Sequence, residues 1–516
     1  MNKKKFLYNT SIVLIIFSFN KILGFFRETL IATKYGATTA SDSFYFALSI
    51  AGLLFIISGS FSQIIKPIII KKQKEKGILE GEIFFNRMSN FISLILIVMC
   101  IVLIIFAKQV ISIFGYGFSQ AEMNLTITLF RIALISSYSI GMATIFASYF
   151  DCRRMFISSA FDAYFFNIIT ISFLFIFANE QNIILFAYIY AFGEFFRLVY
   201  FGVILKRKKY HSNFLDIGIK DKDVRKTAKL AVPILAGSLS GVFNRLVDRI
   251  LASTLTTGSI ASLNYADKLT SVFTGLILSA IMKVVFPSLT EISLSNKEEY
   301  RKKAASILNY TLFLVIPVVT AFIVFAKILV IVVYEHGIFT RTNTIMVAEI
   351  VVIYAMSMFF SSLNLTMGKF FYINKQTKII LISGLLGFAV NISFNLILIQ
   401  QYQHKGLAYA TLLASFIRTL YMLYIMHFKN KMLLIKENLK CLFKCSFASL
   451  IMISGAYGVS KLLYNYMFRG VIINEILGLI IIATTGVILY VSTLYIMKSK
   501  ELNYFLPARF KNIEEK

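Results

Sequence analysis

The sequence predicts an all-α, polytopic membrane protein with fourteen transmembrane helices, built as two six-helix lobes with two further helices appended. Three observations carry this prediction. First, 58% of the 516 residues are hydrophobic and 15% are charged, with mean hydropathy +0.76. A soluble chain carries about 25% charged residues, so too little polar side chain is present to coat water-soluble domains. Second, fourteen apolar stretches reach the roughly 20 residues that a helix needs to cross hydrocarbon. Third, the basic residues between these stretches alternate in number from loop to loop.

The expected spans are 10–33, 43–68, 89–113, 125–150, 158–178, 183–205, 228–255, 260–288, 304–328, 343–368, 377–400, 406–427, 441–463 and 472–497. The first, seventh and tenth are the least apolar. A β-barrel would need many short alternating segments, which are absent. With the N-terminus in the cytoplasm, 37 of the 53 Lys and Arg fall in inner segments and 6 in outer ones. A missed or invented helix would break that alternation, so both termini are expected on the cytoplasmic side. The same bias accounts for the net charge of +28 without nucleic acid as a partner. Lys3, Lys4 and Lys5 precede an apolar run, but Asn20, Lys21 and Arg27 follow where a cleavage site would stand. The first span is therefore expected to remain uncleaved.

All loops are short, and no GxxxxGK[ST] phosphate loop occurs, so the chain is not expected to be an enzyme or an ATP-driven pump. Cys100, Cys152, Cys441 and Cys445 read as small apolar residues, and the four histidines as scattered edge residues. The run Asp221-Lys222-Asp223 reads as a solvated helix start.

An internal echo suggests two repeats. Arg27 precedes Gly36 by nine residues, and Arg249 precedes Gly258 by nine. Pro67 and Pro287 follow those glycines at 31 and 29 residues. A six-helix repeat keeps its orientation, so the halves should relate by an axis along the membrane normal. The expected organisation is 1–226 for the first lobe and its cytoplasmic loop, 227–430 for the second lobe, and 431–516 for the last two helices and tail.

Ten cations are counted with the spans and not with the inner or outer segments, and a cation costs at least ~2.5–3.5 kcal/mol at the centre of a span. They are Lys21, Arg27, Arg131, Arg197, Arg245, Arg249, Lys268, Lys283, Lys327 and Arg418. Six of them fall in the first, seventh and eighth spans. Arg245 and Arg249, four apart, share a helix face. Arg27 and Arg249 each lie six residues, roughly 9 Å, from an outer helix end. If the lobes face each other, these cations line a wet, positive chamber suited to an anion, and phosphate suits Arg well. Pairing with Glu28, Asp42, Asp248 or Asp267 is the competing reading, but these acids are fewer than the cations. Glu194 and Arg197, three apart, read as an intrahelical pair. Arg131 reaches an interface by snorkelling, and Arg418 has no assignment. Asn391 and Asn395 share a face of the eleventh span. With Thr411 and Asp248 they form a set of oxygens that would suit sodium or simply bond helix to helix.

Two stretches carry a resemblance. Asn20 to Arg27 (NKILGFFR), Tyr35-Gly36-Ala37, Ser41-Asp42-Ser43-Phe44 and Phe61-Ser62-Gln63 resemble the opening of the MurJ/MviN family of lipid II flippases. Leu263 to Leu269 (LNYADKL) and Phe286-Pro287-Ser288-Leu289 resemble its seventh and eighth helices. That family belongs to the multidrug/oligosaccharidyl-lipid/polysaccharide exporter superfamily. The resemblance implies a two-lobed bundle that moves lipid-linked sugar across the plasma membrane by alternating access. Lys21, Arg27 and Lys268 match its basic positions and Asp42 its acidic one. The resemblance also implies a lipid-tail groove beside the last two helices, and a sodium site at Asp248, Asn391, Asn395 and Thr411. One departure stands out: where the family has a cation in its second helix, this chain reads Leu53-Leu54-Phe55-Ile56. That leaves room for another undecaprenyl-linked saccharide.

The expected function is thus a flippase for a polyprenyl-pyrophosphate-linked saccharide, foremost lipid II, acting as a monomer. Arg27, Lys268 and Arg249 are expected to bind the pyrophosphate, with Lys21 and Arg245 adding field and Asp42 gating or orienting Arg27. The rivals are an O-antigen or capsule flippase of the same superfamily, a multidrug antiporter, and a membrane glycosyltransferase or acyltransferase. The antiporter is disfavoured because its cargo is often cationic.

Overall fold

The computed structural model describes residues 3–177, 182–208, 210, 213, 216–292, 297–430, 433–467 and 472–504. Side chains are described for these except 3–14, 233, 236–242, 276–292, 297, 464–467, 472 and 503–504. Lys283 and Pro287 therefore lie outside the described side chains. No strand occurs among the described residues.

The chain forms two compact units, Met1–Ala261 with Gly337–Phe339, and Ser262–His336 with Thr340–Lys516. The first holds α1 (Lys3–Tyr35), α2 (Thr39–Ala51), α3 (Leu53–Lys76), α4 (Ile78–Ile105), α5 (Ala107–Phe114), α6 (Gln120–Cys152), α7 (Phe156–Ala160), α8 (Asp162–Ile176), α9 (Ile183–Arg207) and α10 (Lys222–Ala252). The second holds α11 (Ser259–Ile292, its first three residues in the first unit), α12 (Lys297–Tyr334), α13 (Arg341–Ile373), α14 (Thr377–Tyr402), α15 (His404–Tyr424), α16 (Ile435–Met467) and α17 (Ile472–Ile496).

Every expected span falls on helix, with three differences. The second, third and fifth spans are each interrupted, at Gly52, Phe106 and Phe161. Eleven helical segments among the described residues are long and apolar enough to cross a membrane. The three long helices outside that set are α1, α10 and α11, which carry Lys21, Arg27, Arg245, Arg249 and Lys268.

Local chemistry sets the helix starts. At α6 the Ser119 hydroxyl accepts from the Glu122 amide, while the Glu122 carboxylate accepts from the Ser119 amide at 2.8 Å. At α10 the Asp221 carboxylate accepts from the amides of Asp223 (2.7 Å) and Val224 (3.2 Å). The Asp221-Lys222-Asp223 run is therefore a helix start.

In the first unit α6 packs against α2, α3, α4 and α9. The close approach of α3 rests on Gly141, where a Cβ would lie 2.6 Å from the Ser58 hydroxyl. Helix α10 packs against α2, α3 and α4. Ion pairs fasten its start: Lys72 to Asp223 (2.5 Å), and Arg87 to Asp216 (2.7 Å) and Asp221 (2.6 Å). The second unit has its own core of Leu308, Phe313, Ile316, Met367, Phe371 and Met452, and α16 and α17 pack on α12. Cys441 and Cys445 are buried free thiols.

Candidate functional site

Arg27 sits in the interior of the first unit, 8% exposed. Its Nη1 donates to Asn167 Oδ1 at 2.9 Å and its Nη2 to Glu28 Oε1 at 2.8 Å. The guanidinium lies 4.5 Å from the Phe166 ring centre and 5.7 Å from that of Tyr190. A desolvated cation over an aromatic face gains about 2 kcal/mol. Glu28 accepts in turn from the Tyr45 hydroxyl at 3.1 Å, and Asn167 donates to Asn20 at 2.7 Å. Next to this set, Arg197 donates to Glu194 (2.8 Å) and doubly to Asp162. The expected i,i+3 pair is present, and Asp162 of α8 joins it to make a triad.

Asp42 belongs to a different network. Its carboxylate accepts from the backbone amides of Gly258 and Ala261, both at 2.6 Å. Arg249 donates to the carbonyl of Ile260 in the same turn. Asp42 and Arg249 thus grip the connection between α10 and α11 from two sides. That turn depends on Gly258, whose φ is +89° and whose added Cβ would lie 2.6 Å from the Ala37 carbonyl oxygen. Gly36, its counterpart in the repeat, has φ +59°. Gly36 directly follows α1 and Gly258 directly precedes α11, so the echo seen in the sequence marks left-handed glycines in the α1–α2 and α10–α11 connections.

The remaining expected residues are placed as follows. Lys21 is half-buried, its ammonium 5.3 Å from the Phe17 ring centre. Arg245 is exposed, and Asp248 is half-buried. Lys268 is half-buried on α11 in the second unit. Asn391 and Asn395 are buried on α14, where the Asn395 amide donates to Asn391 at 3.2 Å. Asn391 in turn donates to the Thr411 hydroxyl at 3.4 Å. Three of the four oxygen-bearing residues proposed for a cation are therefore adjacent within one unit.

The sequence reading did not anticipate Asn167, Asn20, Tyr45 or Tyr190. The only signal for them was a lone polar residue in an apolar span, which is common in membrane bundles. The second unit also holds an apolar cavity of about 460 Å³, lined by Phe273, Phe313, Pro317, Phe322, Met452 and Tyr490 among others. That cavity lies between α12 and the last two helices.

Apolar faces turned outward and charge held in buried networks define the class: a multi-pass helical membrane protein with a transporter-type bundle. Solved structures of multidrug transporters of the MATE family share that fold. One, inward-facing, is 11% identical with TM-score 0.59 over 80% of this chain and 96% of its own. The chain itself belongs to the lipid II flippase MurJ family, whose model matches residues 31–478. A structure titled lipid II flippase MurJ in an inward closed conformation is 26% identical, with TM-score 0.78 over 94% of this chain and 98% of that one. Relatives described as "Probable lipid II flippase MurJ" include that of Buchnera aphidicola subsp. Schizaphis graminum, 27% identical over 98% of both chains. That of Rickettsia prowazekii is 25% identical over 95% of this chain and 98% of its own.

Proposed function

We propose that this chain carries lipid II across the bacterial plasma membrane by alternating access, without covalent chemistry and as a monomer. The observation that carries the reading is the family match over residues 31–478 on a helical fold that has Lys21 and Arg27 in α1 and Lys268 in α11. The test is complementation of a strain depleted of its lipid II flippase, read by labelling of lipid-linked precursors on the outer face. Restored labelling supports the reading. Unflipped precursor beside folded protein in the membrane overturns it.

In this reading Arg27, Lys268 and Arg249 bind the pyrophosphate, and Lys21 and Arg245 add field. Arg27 already holds an anionic group, Glu28, so a pyrophosphate would replace one acceptor with another rather than meet a bare charge. Asp42 gates through the α10–α11 turn that it holds, not through Arg27. The polyprenyl tail stays in lipid and suits the cavity beside α16 and α17. The moving parts are the lobes 1–226 and 227–430, with 431–516 following the second. The 37-to-6 split of basic residues supports cytoplasmic termini for all fourteen spans.

Sodium is the proposed coupling ion. Amide and hydroxyl oxygens are the donors that a hard cation takes, so Asn391, Asn395 and Thr411 fit it, with Asp248 as the anionic ligand. Bound there, sodium would supply the free energy of its gradient. The run Leu53-Leu54-Phe55-Ile56 favours a second reading, an O-antigen or capsule-type lipid-linked saccharide as cargo. Complementation separates the two.

A further inference from the structure

Arg418 is the cation in α15 that neither the sequence reading nor the proposed function absorbs. It is half-buried, within a helical segment apolar enough to cross the membrane. No Asp or Glu occurs between Glu349 and Glu437, so α14 and α15 hold no carboxylate at all. Among the described residues the one hydrogen bond of Arg418 is from Nε to the Ser383 hydroxyl, at the long distance of 3.5 Å. A guanidinium has five N–H donors, and four of these are left for something else. Helix α14 is shaped to let the arm pass. Ser383 and Gly387 are both buried on one face, and a Cβ on Gly387 would lie 2.3 Å from Arg418 Cδ. The stem therefore lies across Gly387, and its head points toward Ser383, in the direction of the α14 start.

That direction leads out of the hydrocarbon. Ser383 stands five residues past Lys378, or roughly 8 Å along the helix. Exposed Lys375, Lys378 and Lys429 mark the same end of the helix pair. The outward faces of both helices are apolar: Leu381 and Leu385 of α14 are 49% and 52% exposed, and Leu420 of α15 is 48% exposed. A snorkelling cation, a lysine-marked rim and apolar walls are what a phospholipid with an anionic headgroup needs. Arg binds phosphate through paired N–H groups, which Lys cannot do.

We propose that the α14–α15 face around Arg418 is a binding site for an anionic phospholipid. The headgroup phosphate meets Arg418 and the lysine rim, while the acyl chains lie along the apolar surface of the helix pair. Arg418 is thereby neutralised by lipid, as no side chain of its own helix pair can do it.

The test is native mass spectrometry of the full chain released from vesicles of phosphatidylcholine with phosphatidylglycerol. Wild type is expected to retain one more phosphatidylglycerol than Arg418→Gln, with Arg418→Lys between them. Gly387→Ala, which keeps the charge and favours helix, is expected to lose the same lipid by displacing the arm. Equal retention by wild type and both neutralised and displaced variants overturns the proposal. So does protection of wild type by inorganic phosphate in pure phosphatidylcholine to the same degree, because the ligand would then be a soluble anion. Elution as a folded monomer is the control; should Arg418→Gln fail it, Gly387→Ala decides alone.

Discussion

The Asp42 carboxylate accepts the Gly258 amide at 2.6 Å, across 216 positions of sequence. A second bond, from the Ala261 amide, makes the contact a cap on the first turn of α11. Loss of such a cap costs ~0.5–2 kcal/mol, and a charged acceptor stands at the upper end. Asp42→Ala is therefore expected to lower the thermal midpoint in detergent. Asp42→Asn, which keeps one acceptor oxygen, is expected to lie between it and wild type. Both should reduce precursor flipping. Unchanged flipping in Asp42→Ala would remove the turn from the gating mechanism.

Arg27 and Glu28 give a sharper experiment. Arg27→Gln alone leaves a carboxylate buried without its cation, a loss of ~3–5 kcal/mol. Adding Glu28→Gln removes that penalty. If Arg27 serves cargo as well as structure, the double variant is expected to recover folded protein in the membrane but not flipping. Recovery of both would show that the pair is structural only.

The triad of Asp162, Glu194 and Arg197 predicts a structural loss of its own. Arg197→Ala strands two buried acids beside each other, so the cost is expected at ~3–5 kcal/mol or above. The check is the yield of monodisperse protein. Arg197→Lys should rescue partially, since one ammonium cannot reproduce the forked contact.

At the opposite end of α10 the expectation concerns pH. Burial pushes the Asp221 carboxyl up, but the amides of Val224 and Asp223 and the Arg87 guanidinium outweigh it and hold the group below its usual range. A depressed carboxyl stabilises the fold above its unfolded value and stops doing so as pH falls through the folded one. The fastening of α10 should therefore persist at neutral pH and loosen below about pH 4. Protease access to the 208–221 connection should rise there in wild type. In Asp221→Asn it should be high already at pH 7 and change little on acidification.

Gly258→Ala is expected to fail by strain. At φ +89° with a carbonyl oxygen 2.6 Å from the new Cβ, the turn must move. Left-handed strain alone is ~1–3 kcal/mol. Gly368→Ala, with open space around its Cβ, is the matched control and should be close to neutral.

How far these features were legible in the sequence follows from their range. Apolar length is local, and every expected span falls on helix. The interruptions at Gly52, Phe106 and Phe161 were not legible, because a helix break of one residue leaves hydropathy unchanged. Partner choice was legible only between neighbours. Glu28 beside Arg27 and Glu194 beside Arg197 could be read from spacing. Asp162 on Arg197, and Asp42 on a turn more than two hundred residues away, needed the folded chain. Helix α10 makes the same point: it opens the second repeat in sequence, yet its ion pairs to Lys72 and Arg87 tie it into the first compact unit.

The cavity beside α16 and α17 has a practical consequence. It is walled by Phe273, Phe313 and Phe322, and the chain contains 27 Tyr, 51 Phe and no Trp. Phe322→Trp would therefore place the molecule's sole indole in the wall of that chamber, and its emission would report the arrival of an isoprenoid chain against a background free of any other such fluorophore.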